Sequence, residues 1–161
     1  MIAMAIFERK SISLKPWALF WGMIFCLANL GYGQLAGVKT IPGDYPTFVA
    51  AVADLNAQGA AIGGVEFHIA AGYVEQNVLN VDINPLINRP SKTRPVTFKK
   101  QGIGNDPKLV SGTGTNAWTD IMIRLYGIEY MTFDRIELEE NPMNTNSGIW
   151  VEGGIWFYHS G

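Results

Sequence analysis

A chain of 161 residues with 48% hydrophobic content and a net charge of −2 is long enough for one packed domain and too apolar for a disordered tail. The near-neutral balance supplies no basic field, so nucleic acid is excluded as an expected partner. Eighteen glycines and eight prolines announce many turns.

The first segment stands apart. Glu8, Arg9, Lys10 and Lys15 precede an uncharged run over residues 16–30, and Gly31, Gly33 and Gln34 follow. A charged stretch, an apolar stretch and small residues in that order predict a secretory signal peptide over residues 1–33, cleaved after Gly33. The apolar run is shorter than the ~18 residues a membrane span needs, which favours a cleaved signal over the alternative of an uncleaved anchor, so membrane contact is expected only during export. The expected location is extracellular or on the outer cell surface. Removing the segment leaves nine bases against thirteen acids, a net charge of −4, and takes away the one cysteine, Cys26. Residues 34–161 are then expected to hold no disulfide and no thiolate metal site.

Residues 34–43 read as turn-rich, with Gly37, Pro42 and Gly43. Phe48, Ala51, Val52 and Leu55 then recur at helical spacing. Thr47 or Asp44 stands ready as N-cap and Gly59 as terminator, which predicts a helix over residues 47–58. After Gly64 the period drops to two. Val65, Phe67 and Ile69 alternate with Glu66 and His68, the signature of a half-buried strand. A second strand is expected over 78–83. Three prolines between residues 84 and 95 mark an irregular excursion. Further strands are expected at 95–99, 108–111, 120–126, 130–139, 148–152 and 154–158, with turn chemistry between them.

One helix followed by many short strands predicts an all-β fold. Internal echoes favour a parallel β-helix over a sandwich or barrel. Ile123-Arg124-Leu125-Tyr126-Gly127 resembles Ile149-Trp150-Val151-Glu152-Gly153, and Met131-Thr132-Phe133 resembles both Ile155-Trp156-Phe157 and Val96-Thr97-Phe98. The first two echoes suggest a coil of ~25 residues. The helix would cap the first coil, because each coil hides its inner side chains only against another.

Candidate sites follow from residue type. Trp118, Trp150, Trp156 and Tyr126, with Tyr130, are candidates for a carbohydrate-stacking surface, because flat rings with polar edges suit sugars. The bland reading is core filling. Asp134, Glu137 and Glu139, with Glu140, are the densest acids. They are candidates for a calcium site or for a carboxylate pair in glycoside hydrolysis, set against the favoured reading of a solvated strand face. Calcium is the one cofactor these side chains suggest. His68 lacks a partner motif and reads as structural. Asn141, Asn144 and Asn146 suggest asparagines stacked between equivalent turns.

The run Asp44-Tyr45-Pro46-Thr47-Phe48-Val49-Ala50-Ala51-Val52, then Val65-Glu66-Phe67-His68-Ile69, then Tyr73-Val74-Glu75-Gln76-Asn77-Val78, resembles the opening of the pectin-lyase-like superfamily. It is most similar to the N-terminal regions of pectin methylesterases and of secreted Bacteroidetes β-helix proteins. The likeness spans about residues 37–140 and departs at Gly72, which directly precedes Tyr73 where the family has a residue between. It implies a right-handed parallel β-helix and a polysaccharide or cell-surface glycan as partner. The esterases' catalytic aspartates, glutamines and arginine lie in later coils, and no position here matches them.

Residues 34–161 are thus expected to be the N-terminal part of a β-helix domain. The expected function is a secreted or cell-surface module, non-catalytic as it stands, with polysaccharide or surface binding. The alternative is the N-terminal fragment of a pectin esterase or polysaccharide lyase whose active site lies downstream. On the first reading the purified chain releases no methanol and no unsaturated product from methylated pectin. A coupled methanol assay and ultraviolet absorbance check both.

Overall fold

The computed structural model describes residues 33–115 and 120–158. The predicted signal peptide therefore lies outside the described residues. Residues 33–158 wind into a parallel β-solenoid of about four turns with a single short helix.

The elements in chain order are β1 (Leu35–Ile41), α1 (Phe48–Gln58), β2 (Ala60–Ala70), β3 (Val74–Glu75) and β4 (Val81–Ile83), followed by β5 (Val96–Gln101), β6 (Lys108–Val110) and β7 (Ile121–Tyr126), and by β8 (Met131–Asp134), β9 (Glu137–Glu139) and β10 (Gly153–Tyr158). They form three parallel sheets. The first stacks β1, β2, β5 and β8; the second stacks β3, β6 and β9; the third stacks β4, β7 and β10. Each of the three full coils, beginning with β2, β5 and β8, contributes one strand to every sheet.

The register explains why the coils hold together. Val65 pairs with Val96 and Val96 with Met131, while Phe67 pairs with Phe98 and Phe98 with Phe133. The phenyl rings of Phe67 and Phe98 stack with centroids 4.4 Å apart, and those of Phe98 and Phe133 with centroids 5.6 Å apart. Phe67 and Phe98 are fully buried. Such a pair contributes about 0.5–1.5 kcal/mol beyond the area it buries. In the other sheets Leu109 pairs with Leu138, Ile123 with Val81 and Ile155, and Leu125 with Ile83 and Phe157. Like thus lies on like along the axis, as period-two alternation in a parallel stack demands.

Helix α1 forms where the spacing predicts it. The Thr47 side chain accepts from the Ala50 amide at 3.0 Å, Gly59 ends the helix at φ 67°, and Phe48, Ala51, Val52 and Leu55 are buried. Its position meets a specific need. The second and third sheets begin at β3 and β4, whose leading edges have no strand before them. Glu75, buried in β3, accepts the Phe48 amide at 2.6 Å and the Val49 amide at 3.2 Å. It thereby satisfies donors that a helix N-terminus leaves free. Asn56 donates to the Asp82 carbonyl at 2.7 Å and accepts the Asn84 amide at 2.8 Å, so one side chain pairs with β4 as a strand would.

Several expectations need correction. Residues 34–43 are not merely turns: β1 pairs in parallel with β2 from Leu35↔Ala60 to Ile41↔Ile69. Only Leu35 and Ile41 of that strand are buried, so no apolar alternation marks it. The stretch 130–139 is two strands in different sheets, because Arg135 at φ 55° turns the chain between them. Residues 148–152 are not a strand. The coil is longer than 25 residues: Val65 to Val96 spans 31 positions and Val96 to Met131 spans 35. The echo between 123–127 and 149–153 is out of register, since Ile123 pairs with Ile155. Met131–Phe133 and Ile155–Phe157 share a coil but belong to different sheets. The asparagines 141, 144 and 146 lie in one coil and do not stack on one another, but buried Asn144 does bond along the axis, its Nδ2 donating to the Gly112 carbonyl of the preceding coil at 2.9 Å. Asn141 and Asn146 instead accept the Met143 and Gly148 amides, each at 3.0 Å.

Two predictions follow from the capped end. Glu75→Ala leaves the Phe48 amide buried without its carboxylate and is expected to lower the unfolding free energy by about 1–3 kcal/mol, read from urea denaturation. The second concerns tyrosines. Burial, then the hydrogen bond from its hydroxyl to Glu75 at 2.7 Å, pushes the Tyr73 phenol well above its ordinary pKa. Burial and the bond to Asp54 do the same for Tyr45. A group whose folded pKa is raised contributes its stability in full below the unfolded value, near 10 for a phenol, and loses it as pH rises through the folded value. Ultraviolet titration should therefore find these two phenols still protonated at about pH 11, with cooperative unfolding above that.

Candidate functional site

The outer face of the second sheet forms a groove of about 730 Å³. Alternation builds it. Glu75, Leu109 and Leu138 point inward, so Val74, Lys108, Val110, Glu137 and Glu139 form the floor. Gln76, Asn105, Asp106, Asn141 and Met143 come from the adjoining turns. The groove crosses all three coils, and its volume lies in the range of natural ligand clefts.

Lys108 is its electrostatic centre. Its ammonium bonds Glu139 and lies 3.6 Å from Glu137 Oε1. The Glu139 carboxylate, with Glu137 beyond it, holds the lysine above its ordinary pKa. Asp106 takes the Lys100 ammonium at 2.8 Å. With Asp106 matched by Lys100, Glu137 and Glu139 remain against Lys108, and the lining is acidic by one charge. It offers amide donors and acceptors beside carboxylates.

The residues expected to bind calcium are divided. Glu137 and Glu139 share the groove, with the Lys108 ammonium against them. Asp134 lies in the first sheet, in register with Lys99 and 3.6 Å from Arg135. Among the described residues no three histidine, cysteine, aspartate or glutamate side chains converge on a common point. A cation would have to displace Lys108 before using the two glutamates.

The aromatic candidates also separate. Trp118 lies outside the described residues. Tyr126 and Tyr158 pair in β7 and β10, with rings 4.8 Å apart and nearly parallel. Those rings stack along the solenoid axis, so each covers one face of the other. Trp156 leans on Tyr158 at 6.1 Å and is partly exposed. Trp150 sits in the turn before β10, exposed, with its indole N–H donating to the Asn144 carbonyl at 3.1 Å. Tyr126 and Trp156 thus share the outer face of the third sheet, while Trp150 comes from the turn. His68 has a partner after all, with its Nε2 2.8 Å from Glu66.

Sequence reading missed Gln76, Asn105, Asp106, Lys108 and Asn141 as one surface. The available signal was the placement of Lys108 opposite Glu137, legible only once the coil register is known. No family model, no curated protein and no solved structure matches this chain.

Because the Lys108 ammonium already occupies the space between the two glutamates, millimolar calcium is expected to leave the melting temperature unchanged. Lys108→Ala is expected to make it rise with calcium, as two unpaired carboxylates then gain a cation. Thermal unfolding with and without chelator checks both.

Proposed function

We propose that this protein is a secreted or cell-surface β-helix module that holds a polysaccharide chain, and that the groove on the second sheet is where the glycan lies. The observation that carries the reading is the groove itself: polar side chains fixed on three successive coils. Coils repeat every ~4.8 Å along the axis, so hydrogen-bonding groups recur along an extended path. Strand-borne side chains are already ordered, which lowers the entropic cost of binding. The signal-like N-terminus and the resemblance to pectin-lyase-like openings support a role outside the cell.

The charge balance narrows the glycan. Acidic lining repels a polyuronate and suits a neutral or amino-sugar polymer. The same charge weighs against this groove as a pectin-processing site, and no acid and base stand apart in it: Glu137 and Glu139 lean on one ammonium.

Calorimetric titration with neutral, amino-sugar and uronate oligosaccharides tests the reading. Binding is expected for a neutral or amino-sugar chain, with the double variant Gln76→Ala/Asn105→Ala weakening it roughly tenfold, about 1.4 kcal/mol. Trp156→Ala should leave it unchanged. Absence of binding by every neutral and amino-sugar chain sinks the proposal, as does a double variant that binds like the parent.

A further inference from the structure

The bases of residues 34–161 fall into two groups. Lys99, Lys100, Lys108, Arg124 and Arg135 each have a carboxylate within 3.6 Å. Lys39, Arg89, Lys92 and Arg94 pair with no described carboxylate. Three of those four stand on the excursion between β4 and β5. Residues 84–95 hold no acid, while the rest of residues 34–161 carries six bases against thirteen acids. Glu129, the one acid in the matching turn of the next coil, is exposed and makes no ion pair with them.

The excursion is a built element. Pro85 and Pro90 are buried. The Ala60 and Gly63 amides donate to the Asn88 and Thr93 carbonyls at 3.0 and 2.9 Å, and Ser91 and Arg94 exchange two backbone hydrogen bonds. Arg89 donates to the Tyr126 and Gly127 carbonyls at 2.5 and 2.9 Å, which ties the excursion to the next coil. It joins the third sheet to the first, so it forms the corner of the coil opposite the second sheet and its groove.

Two features of this corner serve nothing inside the fold. Arg94 Nε is buried with no acceptor among the described residues. A donor in that state carries a desolvation cost that an incoming anion offsets. The aliphatic side chains, in turn, are exposed rather than buried: Leu86 is 80% exposed, Ile87 43%, and Ile62, next to the contact between Gly63 and Thr93, 74%.

We infer that this corner is a peripheral binding surface for an anionic lipid bilayer, with Arg89, Lys92 and Arg94 against headgroup phosphates and Ile62, Leu86 and Ile87 in the interfacial layer. Cations beside exposed aliphatic side chains select that partner. A polyanionic glycan matches the charges but offers nothing apolar to the three aliphatic side chains. A folded protein partner needs roughly 800 Å² of complementary surface on each side, whereas a bilayer accommodates a convex corner. The contact leaves the groove facing away from the bilayer. It does not depend on what the groove holds, and it is separate from the export expected of residues 1–33.

Hydrogen exchange on the full chain tests this, read over residues 60–64 and 84–95 so that the apolar N-terminal run stays out of the signal. Vesicles mixing phosphatidylglycerol with phosphatidylcholine are expected to slow exchange there roughly tenfold, less so in high salt. Vesicles of phosphatidylcholine alone, and inorganic phosphate at the same concentration, are expected to leave it unchanged. The double variant Leu86→Ser/Lys92→Glu alters two exposed side chains, so it should melt like the parent and lose the protection. Protection by phosphatidylcholine alone, by inorganic phosphate or by soluble dextran sulfate equal to that by the anionic vesicles would overturn the proposal. So would protection by none of them, or a variant protected like the parent.

Discussion

The structure depends on one constraint: each coil must lie on the next in a fixed parallel register. A parallel stack brings equivalent positions of successive strands together, so inner and outer faces are decided at once. Inside, the constraint produces the Phe67–Phe98–Phe133 column, in which each ring completes the burial of the one before it. Outside, it sets Lys99 and Arg124 against Glu66 and Asp82 of the coil before, and Lys108 against Glu137 and Glu139 of the coil after. A slip of one residue would turn the phenylalanines to solvent and the lysines into the core. The hydrophobic term fixes the register, and the charges reinforce it with smaller energies.

The first coil of a solenoid needs a cover of its own. At the start, α1 covers what β3 and β4 leave open. The cover is chemical as well as apolar. Glu75 receives the helix amides, and Asn56 exchanges hydrogen bonds with the edge of β4. The same inward position that holds leucine in later coils, at Leu109 and Leu138, holds glutamate in the first, because only there does a helix N-terminus need an acceptor. The side of the solenoid, rather than either end, carries the groove, where strand side chains from three coils stand at fixed spacing.

The helix and the first alternating strand were legible from local pattern. Thr47, Gly59 and the burial of Phe48, Ala51, Val52 and Leu55 agree with the spacing, since a helix satisfies its own backbone and buries one stripe. The alternation of Val65, Phe67 and Ile69 was equally plain. What failed was whatever depended on partners distant in sequence. Strand β1 carries no alternation because it is the edge of the first sheet, with one strand neighbour, β2. The coil length was misread because every inward strand face looks like every other, and turns of unequal length shift the repeats. The site was legible only in pieces. Glu137 and Glu139 were singled out as a pair, but Lys108, which governs their charge, was not, and Tyr126 was expected to show a ring face that its stacking on Tyr158 partly covers.

The sequence by itself determined the class of fold: one amphipathic helix, then short strands that each bury alternate residues, with no second helix to cover a sheet. Those are properties of neighbours along the chain, fixed by backbone geometry and hydrophobic period. Only the tertiary structure decided which strand lies on which, and hence which charges meet and where the groove runs. Stacking is set by contacts some thirty or more positions apart, and the turns between them carry no period that reveals the distance.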